Sequence, residues 1–343
     1  ALGDSPPDDP WERSELDLTT ILQRDPKHVD AYRTRGLTRF RRENWRGAIE
    51  DWQKYFELNP EAVDRWMIED SLGTAYLNMR QYESALEHYA ASISLQPRGT
   101  NLTNRANALL QKGDLDGALR DCEAALELEA NNPRALGLRG QVQLRRGRWD
   151  AAWEDLDRSV AVQPFYETRL LRSVAQDWQG RRETLRDDVE AVAKEAPDGT
   201  ARQSFARGLL ALLQEQWPQT IEALPEAVQD MVLGRYALAV RGLAWAELGG
   251  GGWQAAAADA DRLAADGRQE PFSQIAAARI YGRIAQRAST AELRENAIRR
   301  AGELLSAASQ LEPAVLKTAK QVPELAELPE NRGQAERPGP DAR

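Results

Sequence analysis

Between Asn104 and Pro133 the chain reads NRANALLQKGDLDGALRDCEAALELEANNP. Ala106, Leu109 and Leu110 share one apolar stripe at helical spacing, and Ala118, Leu119, Cys122, Ala125 and Leu126 share another. The KGD between them offers a glycine turn and an aspartate cap for the second stretch. The segment therefore predicts two helices folded into a hairpin. Neither helix buries its stripe alone, so the pattern also predicts neighbours to stack on.

The same pattern recurs along the chain. The pairs Arg105-Ala106, Arg139-Gly140, Ser173-Val174, Arg207-Gly208 and Arg241-Gly242 follow one another at intervals of 34 residues, and Ile275-Ala276 falls on the same beat. Upstream, Leu72-Gly73 lies 33 residues earlier and Arg35-Gly36 a further 37. A second series, Ala48, Ala85, Ala118 and Ala152, follows twelve residues after the small residue, and Pro60, Pro97 and Pro164 close units, with Ala130 standing in once. The small residues have a mechanical reason. Two antiparallel helices approach closely only where a side chain is reduced to hydrogen or methyl, so Gly36, Gly73, Ala106 and Gly140 should admit bulk from their partners.

These series resemble the tetratricopeptide repeat, whose 34-residue signature pairs a small residue at the eighth position with alanine at the twentieth and proline near the thirty-second. The Arg-Gly pairing is similar to a variety frequent in bacterial members. The resemblance implies an all-α fold, a right-handed α-solenoid of tandem helix-turn-helix units. Four regular units span 29–164, and three divergent ones span 165–271. Thr220 and Pro225 break the second-helix pattern there, and Gly249–Gly252 lengthen a turn. Residues 1–10 read as a flexible segment, 11–28 as an orphan or capping helix, and 272–328 as a stretched hairpin with a final cap. The polar, proline-rich tail 329–343 reads as disordered. The irregular region after Thr200 is expected to open before the regular one.

What the resemblance implies about function is an interaction scaffold without catalysis, binding a peptide or helix in the concave groove lined by the first helix of each unit. Carried over position by position, the twelfth places give Phe40, Leu77, Leu110 and Leu144, with Trp178 beyond them, as an apolar seam. The ninth places give Leu37, Thr74, Asn107 and Gln141. The fifth and thirteenth give Arg33, Arg41, Asp70, Asn78, Thr103, Gln111 and Arg145, and a second place gives Arg134. An apolar seam edged by amides and arginines suits an extended or helical segment. The family's clamp for chaperone C-termini is disfavoured. Its five positions hold Asp70, Thr74, Asn104, Arg134 and Leu138, which match it twice and carry the wrong sign at Asp70. By the same assignment Asn107→Ala and Arg145→Ala should leave stability nearly unchanged.

Composition narrows the classes further. A chain of 343 residues with a net charge of -9 and a pI near 5.1 argues against nucleic acid and anionic membranes as partners. No apolar run approaches the ~18 residues that span a bilayer. Cys122 stands alone and reads as a small buried hydrophobe. His28 sits in a junction and His88 on an outer helix face, with no ligand-spaced cluster, so neither metal nor cofactor is expected. Asp187-Asp188 and Asp259-Asp261 read as solvated helix faces. Trp45, Tyr82, Trp149 and Trp217 share one position after the interhelical turn and read as hairpin packing. Trp66 and Trp153 are less regular and stay open as partner contacts.

The arginines of RTRGLTRFRRENWR, from Arg33 to Arg46, stand out, because Glu43 is the only acid within the stretch. They leave two readings open: an acidic or carboxylate-bearing partner held by Arg33 and Arg41, or a device that keeps an acidic protein soluble. A second functional reading makes the array an accessory region of a larger bacterial signalling protein or enzyme, such as a Ser/Thr kinase. Partner identity and oligomeric state are open, as is the compartment, with the cytoplasm slightly favoured over the periplasm.

Overall fold

A computed structural model describes residues 9–180, 182–320, 322–326 and 328. Residues 1–8 and the tail 329–343 lie outside the described residues, and with them the expectations of flexibility and disorder. Among the described residues all regular structure is α-helical. A front helix α1 (Pro10–Arg24) precedes three hairpins: α2 (Val29–Arg41) with α3 (Trp45–Leu58), α4 (Arg65–Asn78) with α5 (Tyr82–Leu95), and α6 (Gly99–Lys112) with α7 (Leu115–Leu128). Next come α8 (Pro133–Arg145) with α9 (Trp149–Val162) and α10 (Tyr166–Trp178) with α11 (Arg182–Glu195). In the following hairpin α12 (Ala201–Leu213) faces a second limb broken into α13 (Trp217–Glu222) and α14 (Pro225–Gln229). The chain continues through α15 (Gly234–Leu248), α16 (Gly252–Asp266), the long pair α17 (Pro271–Arg287) and α18 (Ala291–Leu311), and the short α19 (Val315–Ala319) and α20 (Pro323–Ala326). Contacts gather into two compact units, Ala1–Ala135 and Leu136–Arg343, with the division falling inside α8.

The small residues do the work expected of them. A Cβ on Gly36 would stand 2.5 Å from Trp52 Nε1, one on Gly73 2.6 Å from Tyr89 Cδ1, and one on Gly140 2.6 Å from Leu156 Cγ. In each case the intruding bulk comes from the second helix of the same hairpin. The recurring aromatics Trp45, Tyr82, Trp149 and Trp217 each open a second helix. Pro225 takes the first turn of α14, where its missing N–H is no loss, and this is why the second limb restarts there. Gly249 and Gly250 turn the chain at φ +67 and +53.

One repeated contact ties first to second helix. Nε and a terminal nitrogen of Arg35, Arg105, Arg139, Arg172 and Arg241 grip both oxygens of Asp51, Asp121, Asp155, Asp188 and Asp259 at 2.6–2.9 Å. These forked, charge-assisted bonds fix register as well as distance. Asp188 and Asp259 are buried in consequence, contrary to the solvated faces expected for them. In α4–α5 the acid stands on the first helix instead: buried Glu69 meets His88 Nδ1 on the second at 2.7 Å. His88 also stacks on Tyr76 with ring centroids 5.1 Å apart, so it does not lie on an outer face. His28 caps α2, accepting from the Ala31 N–H at 3.2 Å.

In the second unit α17 is buried on nearly every side: Arg283, Gln286 and Arg287 alone among its residues escape burial. Phe272 meets Trp149, Trp178 and Tyr236 edge-on at 5.8, 5.7 and 4.8 Å, while Trp149 and Trp178 stack at 4.7 Å. Arg279 reaches Asp177 at 2.8 Å and Glu324 at 3.3 Å and lies 4.9 Å over Trp178. Arg148, at the turn after α8, pairs with Glu312 at 2.8 Å. Beside it, Gly147 holds φ +72, and a Cβ there would strike Val315 at 2.6 Å.

Candidate functional site

The positions assigned to a groove by repeat register fall into two different environments. In the first unit, α2, α4 and α6 carry polar and partly exposed side chains. Leu37 is 43% exposed, and Arg41 is exposed with its guanidinium 4.6 Å over the Trp11 ring. Arg33 pairs with Asp64, which also accepts from Tyr55 Oη at 2.8 Å. Burial alone would raise the Asp64 carboxyl, but the bonds from Arg33 and Tyr55 outweigh it and hold the group below its ordinary range. Asn78, exposed, donates to the Thr74 carbonyl at 2.9 Å, and Gln111 Nε2 donates to Asn107 Oδ1 at 3.3 Å. Thr74 shares its hydroxyl with Tyr89 Oη at 3.1 Å. Arg134 is exposed at the start of α8.

Asp70 lies between α4 and α6, where Asn104 Nδ2 donates to its two oxygens at 2.9 and 3.2 Å. Burial raises this carboxyl above its ordinary range, and the amide of Asn104 offsets that only in part. Met67, one turn before Asp70 on the same helix, is 41% exposed. Met67 and Asp64 join the candidate residues. Their signals were present: Met67 occupies the second position of its unit, and Asp64 precedes a first helix.

The apolar seam needs correction. Leu77, Leu110 and Leu144 are 8%, 2% and 0% exposed, and Phe40 is half-buried against Trp45 and Trp52. Leu77 packs with Ala85, Tyr89 and Ala108, that is, between one hairpin and the next. Thr103 is also buried and bonds back to the carbonyls of Gly99 and Thr100. The twelfth position thus builds the wall. The second unit departs further. Arg145, 4% exposed, is turned onto Glu270, which Arg235 also contacts, and Gln141 is 9% exposed. Burial lowers Arg145 to about 10, which leaves it protonated at neutral pH. The C-terminal ends of α8 and α10 are covered by α17 and its cap, where Glu270 meets Arg145, Phe272 meets Trp178 and Arg279 meets Asp177.

The arginine-rich stretch is likewise satisfied from outside itself. Arg35 and Arg39 reach Asp51 on α3, and Arg39 and Arg42 reach Glu15 on α1. The acids missing from the stretch come from the helices on either side. Trp66 lies 4.4 Å beneath Arg98, and Trp153 packs partly buried against the second unit's core.

Comparison with known proteins agrees with this architecture. Tetratricopeptide-repeat family models match residues 71–98 and 103–167. The chain carries tetratricopeptide repeats over these residues. Over 226 residues it is 24% identical to a DnaJ homolog subfamily C member 7 homolog of Dictyostelium discoideum, covering 61% of this chain and 41% of that protein. Protein FlbA of Caulobacter vibrioides is 27% identical over 194 residues, covering 50% of this chain and 32% of FlbA. The chain therefore spans less than half the length of either relative. Among solved structures, the human IFIT1 dimer with m7Gppp-AAAA aligns with a TM-score of 0.51 and 14% identity, covering 86% of this chain and 67% of IFIT1. That likeness concerns the fold alone. Repeats of this family make the protein an interaction scaffold in general terms. No helix of the described residues is long and apolar enough to cross a membrane.

Proposed function

We propose that this protein holds a segment of a protein partner, without catalysing a reaction, on the face that α2, α4 and α6 present in the first unit. One observation carries this reading. Repeat positions that are covered in the second unit by the chain's own α17 are left open in the first, where Leu37, Arg41 and Asn78 are exposed. Asn78, Asn107 and Gln111 supply amides suited to a peptide backbone, and Leu37 supplies an apolar contact. The ion pairs of Arg33, Arg35, Arg39 and Arg42 weaken the case for an acidic partner, since its carboxylates would have to displace internal ones. Arg41, held only over Trp11, is the arginine best placed to meet such a group. The same face would serve whether the repeats act alone or within a larger signalling protein.

Peptides selected from a random display library against the full chain test this. Their affinity should fall with Leu37→Asp and with Asn107→Ala, and stay unchanged with Met231→Asp on the second unit's surface. Binders indifferent to both first-unit changes would overturn the reading.

A further inference from the structure

The carboxylates packed inside the first unit share a rule. Asp51 is held by Arg35 and Arg39, Asp64 by Arg33, Glu15 by Arg39 and Arg42, Glu69 by Arg65 and His88, and Asp121 by Arg105. Asp70 departs from it. Its polar contact is with the neutral amide of Asn104, and the influences that shift its carboxyl are burial and that amide, with no positive charge among them. A carboxylate partly withdrawn from water is stabilised by a cation brought beside it. Its two oxygens offer about four acceptor sites, and a single amide fills only part of them.

The surroundings of Asp70 fit one kind of cation. Met67 and Thr74 stand one turn before and after it on α4, and the Met67 side chain is 41% exposed. A long aliphatic stem can lie along the thioether while its charged head reaches the carboxylate. Thr74 and Tyr89 are already bonded to each other, so they do not compete for the head. A metal ion is the poorer match, because among the described residues no group of three or more His, Cys, Asp or Glu gathers to hold one. The chain's own use of carboxylates is the precedent: five of them take a guanidinium in a forked grip.

We infer that Asp70, positioned by Asn104 and flanked by Met67, is the acceptor for a lysine or arginine side chain of the partner segment. This rests on the first-unit face being the binding face. It assigns that face a cation-seeking centre, where the sequence alone had suggested an anion-seeking edge.

Library-selected peptides again provide the probe. They are expected to carry a basic residue whose replacement by norleucine weakens binding about tenfold or more, as loss of a charge-assisted bond does. Asp70→Asn, which keeps shape and can still bond Asn104, should weaken the parent peptide equally and leave the norleucine peptide unaffected. Its melting temperature should not fall, since a partly desolvated charge without a cationic partner is removed. Binders that respond to Leu37→Asp and Asn107→Ala yet ignore Asp70→Asn overturn this inference and leave the binding face standing. Binders that ignore all three remove both.

Discussion

At Gly140 the nearest obstacle to a new Cβ is Leu156, which is itself fully buried. The leucine cannot swing into solvent, so Gly140→Leu should cost about 1–3 kcal/mol or more by overpacking. Asn107→Ala, on the partly exposed face of α6, should stay within about 0.5 kcal/mol. Urea denaturation of both variants checks the contrast, and equal losses would mean that register misassigns the two positions. The glycines were legible in the sequence because each answers to a side chain sixteen residues on, inside its own repeat. The arginines of the first repeat were legible as a charge cluster but not as ion pairs. Two of their acids, Glu15 and Asp64, belong to the elements before and after, while Asp51 lies on the second helix of the same repeat.

Arg145 shows where repeat register stops being informative. Its position in α8 is that of a groove residue, yet its partner Glu270 lies 125 residues further on. No pattern within one repeat encodes which later helix will cover it. The expectation that Arg145→Ala is harmless therefore reverses. Breaking a buried ion pair of this kind typically costs about 3 kcal/mol, with the residual contact between Glu270 and Arg235 softening the loss. A melting-temperature drop larger than that of Arg41→Ala checks this. The contact of α17 with α20 has its own signature in pH. Burial alone would raise Glu324, but the charges of Arg279 and Arg283 outweigh it and hold the carboxyl below its ordinary range. Its contribution is therefore complete above the ordinary carboxylate range and fades as pH falls through and below it. Protection of the α20 amides, referenced to intrinsic exchange, should fall on acidification, and fall less in Glu324→Gln, which lacks the titrating carboxylate.

At the scale of the molecule, the two units differ in how their cores connect. The first holds separate clusters, one around Trp52 and Leu72, another around Leu77 and Tyr89, a third around Leu102 and Ala125. In the second, one continuous cluster runs from Leu144 to Leu328. This changes the expected order of opening. The region after Thr200 is irregular in sequence, but it is fastened to α8–α10 by α17, so it should not be the first to open. Native-state hydrogen exchange should show graded protection across the first unit's hairpins and a single common protection level from α8 to α18. Early exchange confined to α12–α16 would contradict this. The same fastening bears on how the chain is made. Arg148 leaves the ribosome 164 residues ahead of Glu312, and Trp149 and Trp178 must wait for Phe272 before their rings are covered. During synthesis the first unit can settle repeat by repeat as it emerges. The second carries two indoles without their Phe272 cover until well over half of its length has appeared. That interval is when nascent chains would be most exposed to aggregation, and when a holding chaperone would find its substrate.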